Sequence, residues 1–440
     1  MTYIPNTDDD LRTMLARIGV ASIDDLFASI PANLKRQGLL DLPPGLTEME
    51  LETRLHALMA ANTAAAEGAC FLGGGAYDHF IPAVVDALAG DPRFVTAYTP
   101  YQAEASQGSL EVFFEYQTLI ARLTGMDLSN ASHYDGATAC VEAVLMATAA
   151  TGWPKIIVAG SLSDQYRRVL DTYLAHQQVE TVACPVTGGR LDQDALKQLV
   201  DARTACILVQ HPNAFGILEQ VDAISSIAHE AGALFIVDVD PISLGLLKRP
   251  DAYGADIVVA EGQSLGIPMS FGGPYLGILA CRESLLRRMP GRIVGETTDR
   301  RGNRCWVLTM QTREQHIRRE KASSNICSNQ GLMAVRACVY LAALGPQGLR
   351  EVANLCTQKA HYLADQLVHR TPLRLVYPKA PFFKEFLVQL PDDFDAKTLC
   401  DRLAERGVFA GIPCGDRLLI AVTEKRTKRE IDHLVQELNI

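Results

Sequence analysis

The chain has 440 residues, of which 48% are hydrophobic and 21% charged, a composition typical of folded globular proteins and unlike collagen-like, disordered or disulfide-rich chains. This length exceeds what one hydrophobic core usually spans, which predicts a large domain accompanied by a smaller one. A net charge of −10 argues against a nucleic-acid-binding protein, because contacts to phosphates require a basic surface.

The 11 cysteines contain no C-x2-4-C pair, so their spacing predicts neither a metal site nor a disulfide framework. Most are expected to be small buried side chains. The odd count and the acidic N-terminal segment predict a cytoplasmic protein. No apolar run reaches the length of a membrane span, so no membrane association is expected.

The N-terminal residues 1–46 predict a helical arm, because short helical patterns there are broken by Gly19 and Pro31. Thr47 and Glu50 have the spacing of a capping box and predict the first helix of a large domain, residues 47–345. Helices follow from Leu110 to Thr124 and from Ala137 to Thr151, each ending at a glycine.

Short apolar runs then alternate with helical patterns, which indicates an α/β domain with a mostly parallel, buried sheet. The expected strands are residues 155–159, 179–184, 205–210, 233–238, 256–260 and 275–281. A further helix is expected to end at Gly345-Pro346. The remaining residues 346–440 predict a small α+β domain with strands near 373–377, 385–390 and 417–422.

In such a sheet, ligands bind beyond the carboxyl ends of the strands, so the loops there are candidate sites. Asp135-Gly136-Ala137-Thr138 precedes a helix, and its N–H groups with the Thr138 hydroxyl could hold an anionic group. An ordinary N-cap without a ligand is an equally good interpretation. A regulatory ligand at this end of the sheet also stays open.

Gly262-Gln263-Ser264-Leu265-Gly266 matches the G-x-S-x-G nucleophile elbow and makes a serine hydrolase the alternative function. The elbow requires a helix directly after the serine. Pro268 and the Gly272-Gly273-Pro274 turn disfavour one, so the hydrolase is the weaker hypothesis.

Asp238 ends one predicted strand and Ser264 follows the next. In pyridoxal-phosphate (PLP) enzymes of the large aspartate-aminotransferase-like fold, an Asp after one strand pairs with the pyridinium nitrogen and a Lys after the following strand forms the Schiff base. No lysine lies between Lys248 and Lys321, and a serine hydroxyl forms no stable imine. The pattern predicts a PLP-type frame without its anchor, although a displaced lysine or an unrelated α/β domain remains an alternative.

Four longer strings resemble the glycine cleavage system P-protein family, and the resemblance runs along the whole chain. They are residues 98–102 (YTPYQ) with 106–108 (SQG), residues 291–297 (GRIVGET), residues 313–321 (REQHIRREK) and residues 324–327 (SNIC). The lack of a lysine makes the chain similar to subunit 1 of the two-subunit form of that family.

The resemblance implies a PLP-dependent transferase-like (fold type I) large domain, with Ser264 at the lost Schiff-base position and Thr138 and Asp238 as remnants of a cofactor site. It implies that this chain binds no cofactor covalently and that PLP sits in subunit 2. Together the subunits would decarboxylate glycine, release CO2 and pass the aminomethyl group to the lipoyl arm of H-protein, as a two-plus-two heterotetramer.

Active sites of this fold lie at subunit interfaces, so the resemblance also implies that residues of the inactive chain line the partner's pocket. The candidates are Tyr98, Tyr101, Ser106, Gln107 and Asn325, and no catalytic residue or metal ligand is expected in this chain alone. Each candidate could instead be a loop residue whose polar groups are satisfied within its own chain. The segment from Arg282 to Lys321 has an excess of six positive charges, which suits an anionic ligand, an acidic partner or a solvated face.

Overall fold

The computed structural model describes residues 5–36, 38, 40–322 and 328–439, and divides into two units, one ending at Asn62 and one running from Thr63. Each unit is described by itself below. The predicted domain boundary at residue 345 stays a prediction, since residues on both sides of it belong to the second unit.

The N-terminal unit contains helices α1 (Asp8–Ile18) and α2 (Glu48–Met59) and the 3-10 helix Ile23–Phe27. Each begins with a capping box, in which Thr7 pairs with Asp10, Ser22 with Asp25 and Thr47 with Glu50. The capping box expected at Thr47 is therefore present. By its contacts α2 belongs to the N-terminal unit, and the predicted boundary after residue 46 stays a prediction.

The strands of the second unit are β1 (Ala69–Cys70), β2 (Leu128–Ser129), β3 (Lys155–Ala159), β4 (Glu180–Cys184), β5 (Val186–Thr187), β6 (Arg190–Leu191), β7 (Thr204–His211), β8 (Leu234–Val239), β9 (Ile257–Glu261), β10 (Gly277–Cys281), β11 (Ile293–Thr298), β12 (Arg304–Thr309), β13 (Arg374–Leu375), β14 (Glu385–Gln389), β15 (Val408–Phe409), β16 (Ile412–Cys414) and β17 (Arg417–Ala421).

Its helices are α3 (Ala83–Ala89), α4 (Pro92–Val95), α5 (Gln107–Thr124), α6 (Gly136–Thr151), α7 (Asp164–Leu174), α8 (Gln193–Leu199), α9 (Val221–Glu230), α10 (Gln315–Arg318), α11 (Ser328–Arg370), α12 (Ala396–Ala404) and α13 (Lys428–Glu437).

The main sheet has the strand order β2-β10-β9-β8-β7-β3-β4. The strands from β9 to β4 are parallel neighbours, and β10 runs antiparallel to both β9 and β2. The six predicted strands all form, displaced at their ends by no more than two residues. Their apolar runs are continuous because both faces of the sheet are covered: Ile157 packs into the core on one face, while Ile156 and Val158 pack into the core on the other.

A second sheet of four antiparallel strands, β13-β14-β17-β16, lies in the C-terminal part of the unit. It shares an apolar core with α12, α13 and the C-terminal half of α11, to which Leu367, Leu403 and Leu434 contribute. The hairpin β11–β12 is a separate two-stranded sheet that packs on α5 through Val294, Leu308 and Leu110. This is the α/β architecture expected from the sequence.

Helix α11 is long and has one break. Gly345 has a φ of +61° and is followed by Pro346, which lacks the N–H that would continue the helix, so the predicted end at this point appears as a kink. By length and composition alone, residues 330–370 meet the criterion for a membrane span, contrary to the expectation from the sequence. Their packing against α3, α5 and α13, with Ala337, Tyr340 and Leu363 buried, is that of a core helix.

Candidate functional site

The carboxyl ends of β8 and β9 meet at one edge of the main sheet. The two strands pair in register, with Asp238 opposite Val259, so the residues that follow them emerge side by side. Helix α6 begins at the same edge, because its N-cap Asp135 follows the short bridge between His133 and Gly277. The sequence predicted a candidate site at this edge.

A cavity of about 30 Å³ lies there, with room for about two water molecules. Its polar lining includes four carboxyl groups and one ammonium group, those of Asp238, Asp240, Glu261, Glu385 and Lys384. Of the three predicted remnants of a cofactor site, Asp238 lines this cavity, whereas Thr138 and Ser264 do not.

Glu261, the last residue of β9, closes the cavity on the side of α6. Its Oε2 accepts a hydrogen bond from the Gly136 N–H at 3.0 Å, and its Oε1 accepts from the N–H groups of Gln263 at 2.9 Å and Leu276 at 3.2 Å. Burial raises the pKa of Glu261 to about 8, although these three N–H donors pull in the opposite direction. The start of α6 therefore already has an acceptor from its own chain.

Thr138 takes part in capping the N-terminus of α6. Its N–H donates to Asp135 Oδ1 at 2.8 Å, and its hydroxyl accepts from the Asp135 N–H at 3.2 Å. These are the bonds of a capping box. Of the two interpretations of this motif, the N-cap accounts for every contact of Thr138.

Lys384 fills the cavity from the C-terminal sheet. Its side chain is 1% exposed, and its Nζ lies 2.7 Å from Asp240 Oδ2, 2.9 Å from His79 Nε2 and 3.4 Å from the centre of the Tyr77 ring. An ammonium group held by a carboxylate, an imidazole and an aromatic face has its charge compensated without water. A displaced cofactor lysine would need a free amino group to form a Schiff base. The Lys384 ammonium group is instead held in a buried ion pair.

His79 extends this network to Glu424. Because an ammonium group only donates, His79 Nε2 must accept from Lys384, and Nδ1 then carries the proton donated to Glu424 Oε2 at 2.6 Å. Burial and the Lys384 charge lower the pKa of His79, so the imidazole stays neutral. Burial opposes ionisation of Glu424, yet the hydrogen bonds from His79 and the Phe80 N–H keep its pKa below its usual range.

The same tautomer disfavours a metal ion. His79, Cys356 and Glu424 bring ligand atoms within 4.8 Å of one another. However, the lone pair of His79 Nε2 is used by Lys384 and Nδ1 bears the hydrogen, so neither ring nitrogen is available without breaking the network. Cys356 Sγ also lies 3.5 Å from Glu424 Oε2 as part of this network.

Asp238 departs from expectation. If the pocket was closed, its carboxylate was expected to be hydrogen-bonded, because an unpaired buried charge is costly. In the described part of the chain it has no such partner, although only 3% of the residue is exposed. Burial and the neighbouring Glu261 and Asp240 charges instead raise its pKa well above its usual range. A raised pKa favours the protonated form of the carboxyl group, which carries no buried charge.

Ser264 does not have the surroundings of a nucleophile. The residue is 2% exposed, and its Oγ has no hydrogen-bond partner among the residues described. An activated serine requires a hydrogen-bonded base and access for a substrate. No α-helix follows it, as the sequence indicated, because residues 263–266 form a turn and residues 267–269 have no regular structure. The serine hydrolase alternative is therefore unsupported.

The predicted partner-facing residues lie elsewhere on the second unit. Tyr98 is 78% exposed and Tyr101 is 44% exposed. Tyr101 receives a hydrogen bond from Arg292 at 3.3 Å, and its ring lies 5.6 Å from the guanidinium and 5.5 Å from the ring of His316. Arg292 in turn lies 3.7 Å from Glu314 Oε1. Three of the strings that carried the family resemblance thus meet at one place, which we call the Tyr101–Arg292 cluster (Tyr98, Tyr101, Arg292, Glu314 and His316).

Gln107 and Ser106 mark the start of α5. The Gln107 amide donates to the Ala103 and Trp306 carbonyls, and its oxygen accepts from the Trp306 N–H at 3.0 Å, so it joins α5 to β12. Ser106 occupies the N-cap position without a side-chain capping bond. Asn325 lies outside the described residues. The role of all five in a partner's pocket stays a prediction.

Sequence reasoning missed Glu261, Lys384 and His79. One signal was available for Lys384: the adjacent charges Lys384-Glu385 stand between Phe383 and Phe386, and charges inside an apolar run indicate buried pairing. Nothing local distinguished Glu261 from other strand ends.

PLP does not fit the residues at this edge. The cofactor ring would need far more than about 30 Å³, and the strand after Asp238 leads to Ser264 rather than to a lysine.

Comparisons with known proteins identify a family to which this chain is similar along its length. A family model described as glycine cleavage system P-protein matches residues 1–438. Two relatives named probable glycine dehydrogenase (decarboxylating) subunit 1 are similar along their length: that of Chloroherpeton thalassium is 48% identical and that of Chlorobium limicola is 50% identical, each covering 100% of this chain and 99% of the relative.

A crystal structure of glycine decarboxylase (P-protein) of the glycine cleavage system, in inhibitor-bound form, superposes with a TM-score of 0.91 at 44% identity, covering 100% of this chain and 99% of that one. A sphingosine-1-phosphate lyase from Burkholderia pseudomallei shares the fold, with a TM-score of 0.66 at 18% identity over 91% of this chain and 92% of that one. The predicted fold class, a PLP-dependent fold type I large domain, is confirmed. So is the predicted family: the chain belongs to the glycine cleavage system P-protein family.

Proposed function

We propose that this chain is the cofactor-free subunit of a two-subunit glycine-decarboxylating enzyme, with PLP bound by the second subunit. The observation that carries the proposal is the filled cavity at the carboxyl edge of the main sheet, where Glu261 and Lys384 occupy the space of a cofactor. A chain with this fold and no room for PLP needs a partner that holds it. The relatives named subunit 1 support the same division of roles.

The contribution of this chain to the chemistry would come from its surface. The Tyr101–Arg292 cluster presents the exposed rings of Tyr98 and Tyr101 beside the buried pair of Arg292 and Glu314, and such rings suit a planar cofactor held by a neighbouring subunit. We propose Tyr98, Tyr101 and Ser106 as lining residues of the partner's pocket. Gln107 has the weaker case, because its amide is used within its own chain. Asn325 stays a prediction from the sequence alone.

We further propose lipoylated H-protein as the acceptor of the aminomethyl group, and a two-plus-two heterotetramer in the cytoplasm as the working assembly. The basic segment from Arg282 to Lys321 supports contact with an acidic partner. Arg300 and Arg301 are exposed at the tip of the β11–β12 hairpin, and Arg318 and Arg319 are exposed at α10. Exposed arginines of this kind favour association by electrostatic steering.

The test is to produce this chain alone, a PLP-bearing subunit 2 alone, and the two together. Exchange of carbon between glycine and bicarbonate is then measured with lipoylated H-protein. Activity is expected only in the pair, and PLP absorbance only in preparations that contain subunit 2. Exchange by this chain alone would contradict the proposal and would show that a lysine outside the strand end serves the cofactor.

A further inference from the structure

We infer that Glu261 is the chain's own substitute for the cofactor phosphate: its carboxyl group sits at the N-terminus of α6 as a built-in acceptor and closes that position to phosphate-bearing ligands. The inference rests on the fold and on the contacts of Glu261, and it does not depend on the proposed pairing with a second subunit.

The first argument is the set of donors. An N-terminus of a long helix presents free N–H groups that bind phosphate oxygens in many proteins. α6 has 16 residues, and the N–H of its first residue, Gly136, points at Glu261 Oε2 at 3.0 Å. The N–H groups of Gln263 and Leu276 converge on the other oxygen at 2.9 and 3.2 Å. Three backbone donors from three segments thus enclose one group, as they would enclose a phosphate.

The second argument is the close fit around Gly136. A Cβ at this position would lie 2.2 Å from the Tyr166 hydroxyl and 2.8 Å from the Glu261 backbone nitrogen. The glycine therefore allows α6 and β9 to approach closely, and this approach brings the Glu261 side chain onto the helix end. A phosphate and the Glu261 carboxyl group cannot occupy this place together.

The third argument is the state of Asp238, the residue at the position that pairs with the cofactor ring in PLP enzymes of this fold. Asp238 is nearly fully buried and points into the same cavity, with no hydrogen-bond partner in the residues described. On the opposite side Lys384 is held by Asp240. Asp238 and Lys384 thus alter the place where a cofactor ring would lie. Glu261 alone occupies the place where its phosphate would lie.

The experiment replaces Glu261 by alanine in the full chain and uses inorganic phosphate as the probe. Removal of the side chain frees the donors of Gly136, Gln263 and Leu276. The midpoint of thermal unfolding of Glu261→Ala is expected to rise saturably with phosphate, because a ligand that binds only the folded state stabilises it. Chloride at equal ionic strength corrects for general salt effects, and the unmodified chain is expected to show no saturable response.

Glu385→Ala is the matched control. Its carboxyl group lines the same cavity and also accepts a backbone N–H, that of Gly74 at 2.7 Å, but it does not lie at the start of α6. No saturable response to phosphate is expected from it. Glu261→Gln provides a second control, because the amide fills the position and excludes phosphate.

One further measurement needs no variant. The first N–H of a helix normally exchanges with solvent, so residue-resolved hydrogen exchange of the unmodified chain should show slow exchange at Gly136 if Glu261 accepts its bond. Fast exchange at Gly136 would overturn the inference. This test remains usable even if the Glu261→Ala variant does not fold. The inference would equally be overturned if the folded alanine variant ignores phosphate, or if the unmodified chain binds pyridoxamine 5′-phosphate saturably.

Discussion

The cavity at the carboxyl edge of the main sheet and the Tyr101–Arg292 cluster are two polar regions of the same unit that differ in exposure. In the cavity the polar groups of Lys384, Asp240, His79 and Glu261 are turned on one another or on backbone N–H groups, and little space is left. In the cluster Arg292 and Glu314 are buried and paired, whereas the rings of Tyr98 and Tyr101 beside them stay exposed. Polar residues that satisfy each other hold a fold together, whereas those left open are available to a second molecule.

The largest effect is expected from breaking the interior network at Lys384. Lys384→Met keeps the length of the side chain but leaves Asp240 and His79 without their buried cation. Loss of one partner of a buried ion pair costs about 3–5 kcal/mol in the free energy of unfolding, which urea denaturation would measure as a lower midpoint. Lys397→Met, which removes an exposed pair with Asp401, is the control and should leave the midpoint nearly unchanged. Equal midpoints for the two variants would contradict a structural role for the network.

Gly216→Ala tests how tightly the cavity wall is packed. Gly216 has a φ of +79°, and a Cβ there would lie 1.9 Å from the carbonyl oxygen of Glu385. Gly188 has a similar φ of +61° with open space around it, so Gly188→Ala measures the backbone strain alone, about 1–2 kcal/mol. Gly216→Ala should add the overlap, for a total of about 2–5 kcal/mol. Similar unfolding midpoints for both variants would mean that the wall can yield.

His133 makes the interior sensitive to acid. Burial lowers its pKa from 6.5 to about 4. As pH falls below about 6.5 the unfolded state takes up a proton that the folded state refuses, so the free energy of unfolding declines down to about pH 4. One such group contributes a slope of up to about 1.4 kcal/mol per pH unit.

His133→Leu should make the urea midpoint depend less steeply on pH between about 6.5 and 4. The decrease in slope should correspond to at most one proton fewer taken up on unfolding. His176→Leu changes an exposed histidine and should leave the profile as it is. An unchanged profile in His133→Leu would show that other buried groups, such as His211, dominate the acid response.

The smallest effect on the chain itself is expected at the open region. Tyr98→Ala should leave the unfolding midpoint of the isolated chain unchanged, because the side chain is mostly exposed. In the pair with subunit 2 it should lower kcat/KM for glycine by about tenfold or more, equivalent to about 1.4 kcal/mol of transition-state stabilisation. Tyr173→Ala, an exposed tyrosine on α7, should change neither quantity. Full activity of the Tyr98 variant would remove this residue from the proposed pocket.

The sequence by itself determined six of the seven strands of the main sheet and the missing lysine anchor. Continuous apolar runs predicted β3, β7, β8 and β9, because a strand covered on both faces must be apolar throughout. The absence of a lysine at the end of β9 needed no coordinates, and the four strings identified the family. These signals are local: each depends on a few consecutive residues.

Only the tertiary structure decided how the carboxyl edge of the main sheet is closed. The Glu261–Gly136 bond joins residues 125 positions apart, and the Lys384–His79 bond joins residues 305 positions apart. Such contacts exist because a parallel sheet gathers the ends of distant strands at one edge and because the C-terminal sheet returns Lys384 to it. A glutamate at a strand end and a lysine in an apolar run carry no local sign of the partner they will meet, since that partner is chosen by the packing of the whole unit.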